Sequence, residues 1–226
     1  MIQYKISEEY YRYFLDKLQE GIWNMIVIDG VVGVGKSTLM EILTQEGYIP
    51  FREPVEENPL LDKFYYDRKR YAFPLQVYFL NRRFKQIKEA SALEKAVLDR
   101  SIYGDVIFAK MLSDQGDMEK AEFALYEELL ENMLEHLKAP KLMIYLESSV
   151  DAVVKKIQKR GREYELVVEN EYWQTLNREY TEYFKTYNKS PLLTINVDNL
   201  DFEHNKEDRE YVLGLIHDKL ATIENL

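Results

Sequence analysis

The chain contains no cysteine. That excludes a disulfide framework and thiolate metal sites, and suits a reducing compartment. Histidine is nearly as scarce: His136, His204 and His217 stand far apart without ligand spacing, which argues against a histidine-held metal. No apolar run reaches the ~20 residues a membrane helix needs, because charge interrupts each one. The opening Met1-Ile2-Gln3-Tyr4-Lys5 lacks the apolar core of a secretory signal. Excess positive charge is missing too. A net charge of −10 is poorly suited to a phosphate polymer, so nucleic acid is not an expected partner, although a local cation cluster could still hold a small phosphorylated ligand. Together these absences predict a soluble, cytoplasmic protein with no membrane contact.

What is present suffices for a core. With 226 residues, 46% of them hydrophobic, the chain needs no covalent or metal staple, since a domain of this length buries roughly 70% of its unfolded surface. Eighteen tyrosines are many, and most read as amphipathic packing residues at the core's edge. No linker, internal repeat or low-complexity run divides the chain, so one domain over 1–226 is expected.

Five short apolar segments read as strands: Met25–Asp29, Tyr48–Arg52, Ala96–Asp99, Leu142–Leu146 and Leu192–Val197. Near-continuous runs such as Met-Ile-Val-Ile suit parallel strands covered on both faces. Helical patterns lie between them at Ser37–Gln45, Leu75–Leu93, Met118–Leu137 and Val150–Lys159. Alternation of this kind predicts an α/β fold with a five-stranded parallel sheet flanked by helices. Ahead of the first strand, residues 1–23 read as a helical extension, with Tyr10, Tyr11, Phe14, Leu15 and Leu18 near one face of Ser7–Gln19.

The first strand runs into Gly30-Val31-Val32-Gly33-Val34-Gly35-Lys36-Ser37-Thr38. This is a full G-x-x-x-x-G-K-[ST] phosphate loop in the strand-to-helix context the motif requires. Glycines let backbone N–H groups approach phosphate oxygens, and the following helix aims its positive end at them. Lys36 is expected at the β- and γ-phosphates of ATP and Ser37 on Mg²⁺. A guanine-reading N-K-x-D is missing: Asn188-Lys189-Ser190-Pro191 lacks the aspartate.

At the ends of the second and third strands stand Arg52-Glu53-Pro54-Val55 and Asp99-Arg100-Ser101-Ile102-Tyr103-Gly104-Asp105. Loops at carboxyl ends of parallel strands meet over the ligand crevice. Glu53 is thereby placed to take a proton from an attacking hydroxyl, Asp99 to serve the metal, and Arg100 to meet phosphoryl charge.

In this order, from about Met25 to Phe202, the motifs resemble the deoxyribonucleoside kinase family, with the bacterial purine-type members most similar. The resemblance implies a P-loop kinase fold with an arginine-rich lid, and ATP-dependent phosphorylation of a deoxynucleoside 5′-hydroxyl. It makes Glu53 the catalytic base and Asp99-Arg100-Ser101 the acid-Arg-Ser motif, here with an aspartate whose shorter reach could place a water before the metal. It puts Gln76 at the base edge, where an amide can pair bidentately with adenine or cytosine. Seven positions on, two helical turns away, Arg83 matches the partner of Asp105 in the base pocket. An Arg-oriented carboxylate there favours bases with an exocyclic amino group over thymine.

The resemblance also matches Tyr65 (Tyr66 as fallback) and Glu165 (Glu163 less well) to contacts with the sugar 3′-hydroxyl. Phe73 and Phe79 are available as aromatic neighbours of the base. Arg160 and Arg162 match the lid, with Lys156 as a third cation, and Asp198–Phe202 matches the loop around the donor adenine. A homodimer is expected, with Met118–Leu137 as the apolar helix available for it. The substrate expectation is deoxyadenosine, then deoxyguanosine or deoxycytidine. A monophosphate kinase of the thymidylate kinase type, using Arg52, Arg68 and Arg70 for the acceptor phosphate, is the alternative. A non-catalytic nucleotide sensor is the third reading.

Overall fold

A computed structural model describes residues 25–55, 58–162, 165 and 168–225. The expected N-terminal helix lies outside these residues. Five strands form one parallel sheet: β1 Met25–Asp29, β2 Ile49–Phe51, β3 Ala96–Asp99, β4 Leu142–Glu147 and β5 Leu192–Asn196, in the order β2-β3-β1-β4-β5. In the central strand, Ile26 faces Val97 of β3 on one side and Leu142 of β4 on the other. Every residue of β1 and β3 is buried, as expected of strands covered on both faces, whereas the edge strands β2 and β5 are partly exposed.

Strand order explains the position of the crevice. The chain leaves β1 towards β2 and β3 on one flank and later builds β4 and β5 on the other. The carboxyl end of β1 is therefore the switch point, where loops on either side diverge and leave a cleft.

The described helices are α1 Lys36–Gln45, α2 Leu61–Tyr66, α3 Arg68–Ala90, α4 Ile102–Asp114, α5 Lys120–Leu134, α6 Val150–Arg160, α7 Asn170–Lys185 and α8 Lys206–Glu224. Several boundaries differ from the sequence expectation. β2 is shorter than Tyr48–Arg52, because only Ile49–Phe51 find partners on β3. Helix α3 begins at Arg68 rather than Leu75. Asp67 caps it by accepting the Arg70 N–H at 3.3 Å, and Pro74 is tolerated inside it, forfeiting one backbone bond. Helix α5 is shorter at both ends than Met118–Leu137. Four helices, α2, α4, α7 and α8, were not anticipated.

Helix α7 buries Tyr172, Trp173, Leu176, Tyr180 and Phe184. Tyr145 of β4 stacks on Phe184 with ring centroids 4.2 Å apart. This aromatic layer extends the core beneath the cleft and accounts for part of the tyrosine content. Among the described residues no helix is long and apolar enough to cross a membrane.

Leu43 on α1 is fully buried in the core. Leu43→Ala is expected to lower the unfolding free energy by about 2–5 kcal/mol, read from the denaturation midpoint at constant slope.

Candidate active site

One large cavity, of about 910 Å³, opens over the carboxyl ends of β1, β2 and β3. Its floor is the loop between β1 and α1. Gly30, Gly33 and Gly35 have φ of 146°, 80° and 111°, conformations that side chains resist. Space is limiting as well. A Cβ at Gly30 would lie 2.6 Å from the Leu146 carbonyl oxygen, and one at Gly35 would lie 2.9 Å from the ring of Phe202. Val32 through Thr38 line the cavity, with Gly30 and buried Val31 beneath it. Lys36 folds back over its own loop, donating to the carbonyls of Gly30 at 3.0 Å and Val31 at 2.9 Å. Burial and the nearby Arg100 hold its ammonium down at about 8, although Asp99, Glu53 and Asp29 favour the charge.

Ser37 Oγ donates to Asp99 Oδ2 at 2.6 Å, while buried Asp99 Oδ1 has no hydrogen-bond partner. Hydroxyl and carboxylate oxygens beside a phosphate cradle are the donor set of a hard divalent cation, so these residues fit Mg²⁺. Among the described residues there is no group of three or more His, Cys, Asp or Glu able to hold a metal alone.

The opposite wall is organised by Arg83, whose side chain is 2% exposed. Its Nη2 donates to Glu53 Oε1 at 2.9 Å, and its Nε lies 2.8 Å from Asp105 Oδ1. Arg100 Nε stands 3.6 Å from the same Glu53 oxygen. Burial opposes ionisation of Glu53, but Arg100, Arg83 and Lys36 together outweigh it and hold the carboxyl at about 2. Asp105 behaves oppositely. Its burial, reinforced by Asp29 and Glu53, overcomes Arg83 and Arg100 and pushes it up to about 7. Two carboxylates on one guanidinium thus have widely separated acidities.

Arg100 is fixed by more than charge. It has a φ of 64°, outside glycine's domain a conformation that costs on the order of 1 kcal/mol. Its backbone N–H donates to Ile28 at 2.8 Å and its guanidinium to the Gly30 carbonyl at 3.3 Å. The guanidinium also packs over the rings of Phe108 and Tyr180, 4.8 and 5.8 Å from their centroids.

Gln76 and Phe79 line the same wall from α3, and Tyr65 from α2. Tyr66 is 89% exposed, and neither it nor Phe73 is among the residues lining the cavity. Helix α6 ends at Arg160, and Gly161 turns the chain with φ 70°. Arg160 Nε donates to Glu165 Oε2 at 3.2 Å, and Arg162 stands 3.6 Å from the same carboxylate. All three residues line the cavity, as does Lys156. Glu163 lies outside the described residues.

Asp198 does not line the cavity; it accepts from Ser148 Oγ and from the Ser149 backbone, each at 2.7 Å, bracing the N-cap of α6. Leu200 through His204 form the cavity wall there. Phe108 and Tyr172, both unanticipated, also line it. The signal for Tyr172 was the four-residue aromatic and apolar spacing of Tyr172, Leu176, Tyr180 and Phe184.

A phosphate loop on a parallel sheet, facing an acid–guanidinium wall across one cavity, defines the chain as a P-loop phosphotransferase. The family model for deoxynucleoside kinase matches residues 26–221. The chain is 44% identical over 206 residues to a deoxyguanosine kinase of Lactobacillus johnsonii, covering 87% of this chain and 92% of the relative. It is 41% identical to a deoxyadenosine kinase of Lactobacillus acidophilus, covering 89% and 99%, and 37% identical to a deoxyadenosine/deoxycytidine kinase of Bacillus subtilis, covering 86% and 94%. The structure of a deoxyadenosine kinase from M. mycoides with bound dATP superposes with a TM-score of 0.76 at 37% identity, covering 85% of this chain and 99% of that one. The chain therefore belongs to the deoxynucleoside kinase family and is a deoxynucleoside kinase.

The elevated Asp105 acidity generates a pH test. A carboxyl that ionises at about 7 when folded, against roughly 3.9 when unfolded, contributes stability that is complete below about pH 4. That stability is lost as pH rises through about 7. Between pH 4 and 7 the melting temperature of the wild type should fall relative to that of Asp105→Asn; parallel curves would contradict the buried, strained state of Asp105.

Proposed function

We propose that the chain transfers the γ-phosphoryl group of ATP to the 5′-hydroxyl of a deoxyribonucleoside, with deoxyadenosine preferred. One observation carries this reading: Glu53 stands between the phosphate loop and the Arg83–Asp105 wall within a single cavity. That is where a 5′-hydroxyl must lie if the base reaches the wall and the donor phosphates occupy the loop.

In this reading Gln76 and Asp105 hold the base edge, and Tyr65 and Glu165 the sugar 3′-hydroxyl. Glu53 accepts the 5′-hydroxyl proton as that oxygen attacks the γ-phosphorus in line. Lys36, Arg100, Arg160 and Arg162 meet the charge that spreads over the transferred oxygens, the dominant source of acceleration in this chemistry. Ser37 and Asp99 would hold Mg²⁺, which would supply neutralising charge to the phosphate chain. An ionised Glu53, kept so by its two guanidinium neighbours, is ready to accept a proton at neutral pH. Closure of the α6 end over the phosphates excludes water as a competing acceptor. Phe202, packed against Gly35, bounds the space for the donor nucleoside.

Deoxyadenosine is supported by the amide and carboxylate at the base edge, which match an amino-bearing base and offer thymine nothing to donate to Asp105. The relatives include deoxyguanosine, deoxyadenosine and deoxyadenosine/deoxycytidine kinases, so deoxyguanosine and deoxycytidine stand next. A monophosphate acceptor is less well served: of Arg52, Arg68 and Arg70 only Arg52 lines the cavity, and it pairs with Glu41. Arg68 lies over the Tyr172 ring. A cytoplasmic homodimer joined through α5 completes the reading. It would cover Leu125, 55% exposed beside half-buried Phe123, Leu129 and Met133.

Two experiments test this function. Glu53→Gln should keep ATP binding while lowering kcat by at least roughly 100-fold; near-normal turnover would remove Glu53 from the role. With ATP and each of the four natural deoxynucleosides, kcat/KM should be highest for deoxyadenosine and lowest for thymidine, and a thymidine preference would overturn the base-edge reading.

A further inference from the structure

The transfer chemistry leaves one fully buried charged group beside the site unused, the carboxylate of Asp29 at the last position of β1. Its Oδ1 accepts the N–H of Gly30, the first residue of the phosphate loop, at 2.8 Å. Gly30 is confined on its other side by the Leu146 carbonyl, and its own carbonyl receives Lys36 at 3.0 Å and Arg100 at 3.3 Å. Asp29 therefore grips the residue on which both cations converge.

The second oxygen faces the acceptor side. A Cβ at Gly104 would fall 2.2 Å from Asp29 Oδ2, so the first turn of α4 rests directly on the carboxylate. Gly104 is helical without a positive φ, so glycine is needed here for space and not for backbone freedom. The next residue is Asp105, held by Arg83 at 2.8 Å. We propose that Asp29 is a positioning residue, a fixed post between phosphate loop and α4 that sets the distance from the donor cradle to the acceptor pocket.

Two further facts fit that role. Oδ2 has no hydrogen-bond partner although it is buried. Burial also pushes the Asp29 carboxyl up against the pull of Arg100, the Gly30 N–H, Lys36 and Arg83, while Asp105, Tyr180 and Tyr183 respond to its charge from α4 and α7. Burial opposes the charged form of this carboxyl, so an acid at this position carries a cost in stability, as groups retained for function often do.

This inference rests on the reading of the phosphate loop and the Arg83–Asp105 wall as the two substrate sites. The test compares Asp29→Asn, Asp29→Ala, Gly104→Ala and the Asp29→Ala/Gly104→Ala double variant, with Lys36→Ala alongside. In folded protein, Asp29→Ala should lower kcat/KM for ATP and for the deoxynucleoside together, on the order of 10- to 100-fold, as expected of misplaced reacting groups. Asp29→Asn, matched in shape and still able to accept the Gly30 N–H, should keep most of the activity that Asp29→Ala loses. Gly104→Ala should reproduce the kinetic loss by displacing the carboxylate. The double variant should then be no worse than Asp29→Ala, because the added methyl enters the space already emptied. Kinetics within twofold of wild type for Asp29→Ala, or losses that simply multiply in the double variant, would overturn the proposal. So would an Asp29→Asn protein as impaired as Asp29→Ala. A fully active Lys36→Ala would instead overturn the assignment of the site itself, and the inference with it.

Discussion

The acceptor half of the site depends on one buried guanidinium. Arg83 reaches from the middle of a long helix to carboxylates on two other elements, Glu53 beyond β2 and Asp105 on α4. Removing so buried a cation would leave buried Asp105 without its ion-pair partner and Glu53 with Arg100 alone, a far greater penalty than loss of a surface pair. The same bridge separates their acidities. Glu53 is stabilised as the anion by Arg100 and Arg83, while Asp105, deeper and beside other carboxylates, is driven towards its neutral form. On the proposed reading, a strongly ionised proton acceptor beside a half-neutral base-pocket acid lets one cluster serve two tasks.

On the donor half, the cations already have oxygen partners within the protein. Lys36 holds two carbonyls of its own loop, and Arg160 holds Glu165. On the proposed reading, entry of a triphosphate would exchange one set of oxygen ligands for another, leaving little reorganisation for the moment of transfer. Arg100 needs a different device, because it must stay fixed between the halves. Positive φ, the Gly30 carbonyl and the rings of Phe108 and Tyr180 together supply it.

Much of this could be read from the chain itself, for identifiable reasons. The buried strands announced themselves because parallel strands covered on both faces must be continuously apolar, and each was placed within two residues. The phosphate loop, Glu53, Asp99 and Arg100 were legible because they follow strands directly, where position on the sheet fixes position in space. Helix α7 escaped because its buried stripe consists of tyrosine, tryptophan and phenylalanine set among charges, a pattern that reads as surface when hydrophobicity alone is counted. Pro74 concealed the first two turns of α3. The Asp198 side chain could not be placed from sequence, because hydrogen bonds from Ser148 and Ser149 turn it towards the α6 cap. Asp29 and Gly104 could not be paired from sequence at all, since their contact exists only once β1 and α4 are packed.

The most direct measurement is the kinetics of Arg83→Lys. Lysine retains the charge but cannot span two carboxylates with a planar fork. If Arg83 binds Glu53 and Asp105 into one acceptor wall, the folded variant should keep its KM for ATP while kcat/KM for the deoxynucleoside falls by at least roughly 100-fold. A deoxynucleoside kcat/KM within twofold of wild type would contradict that organisation.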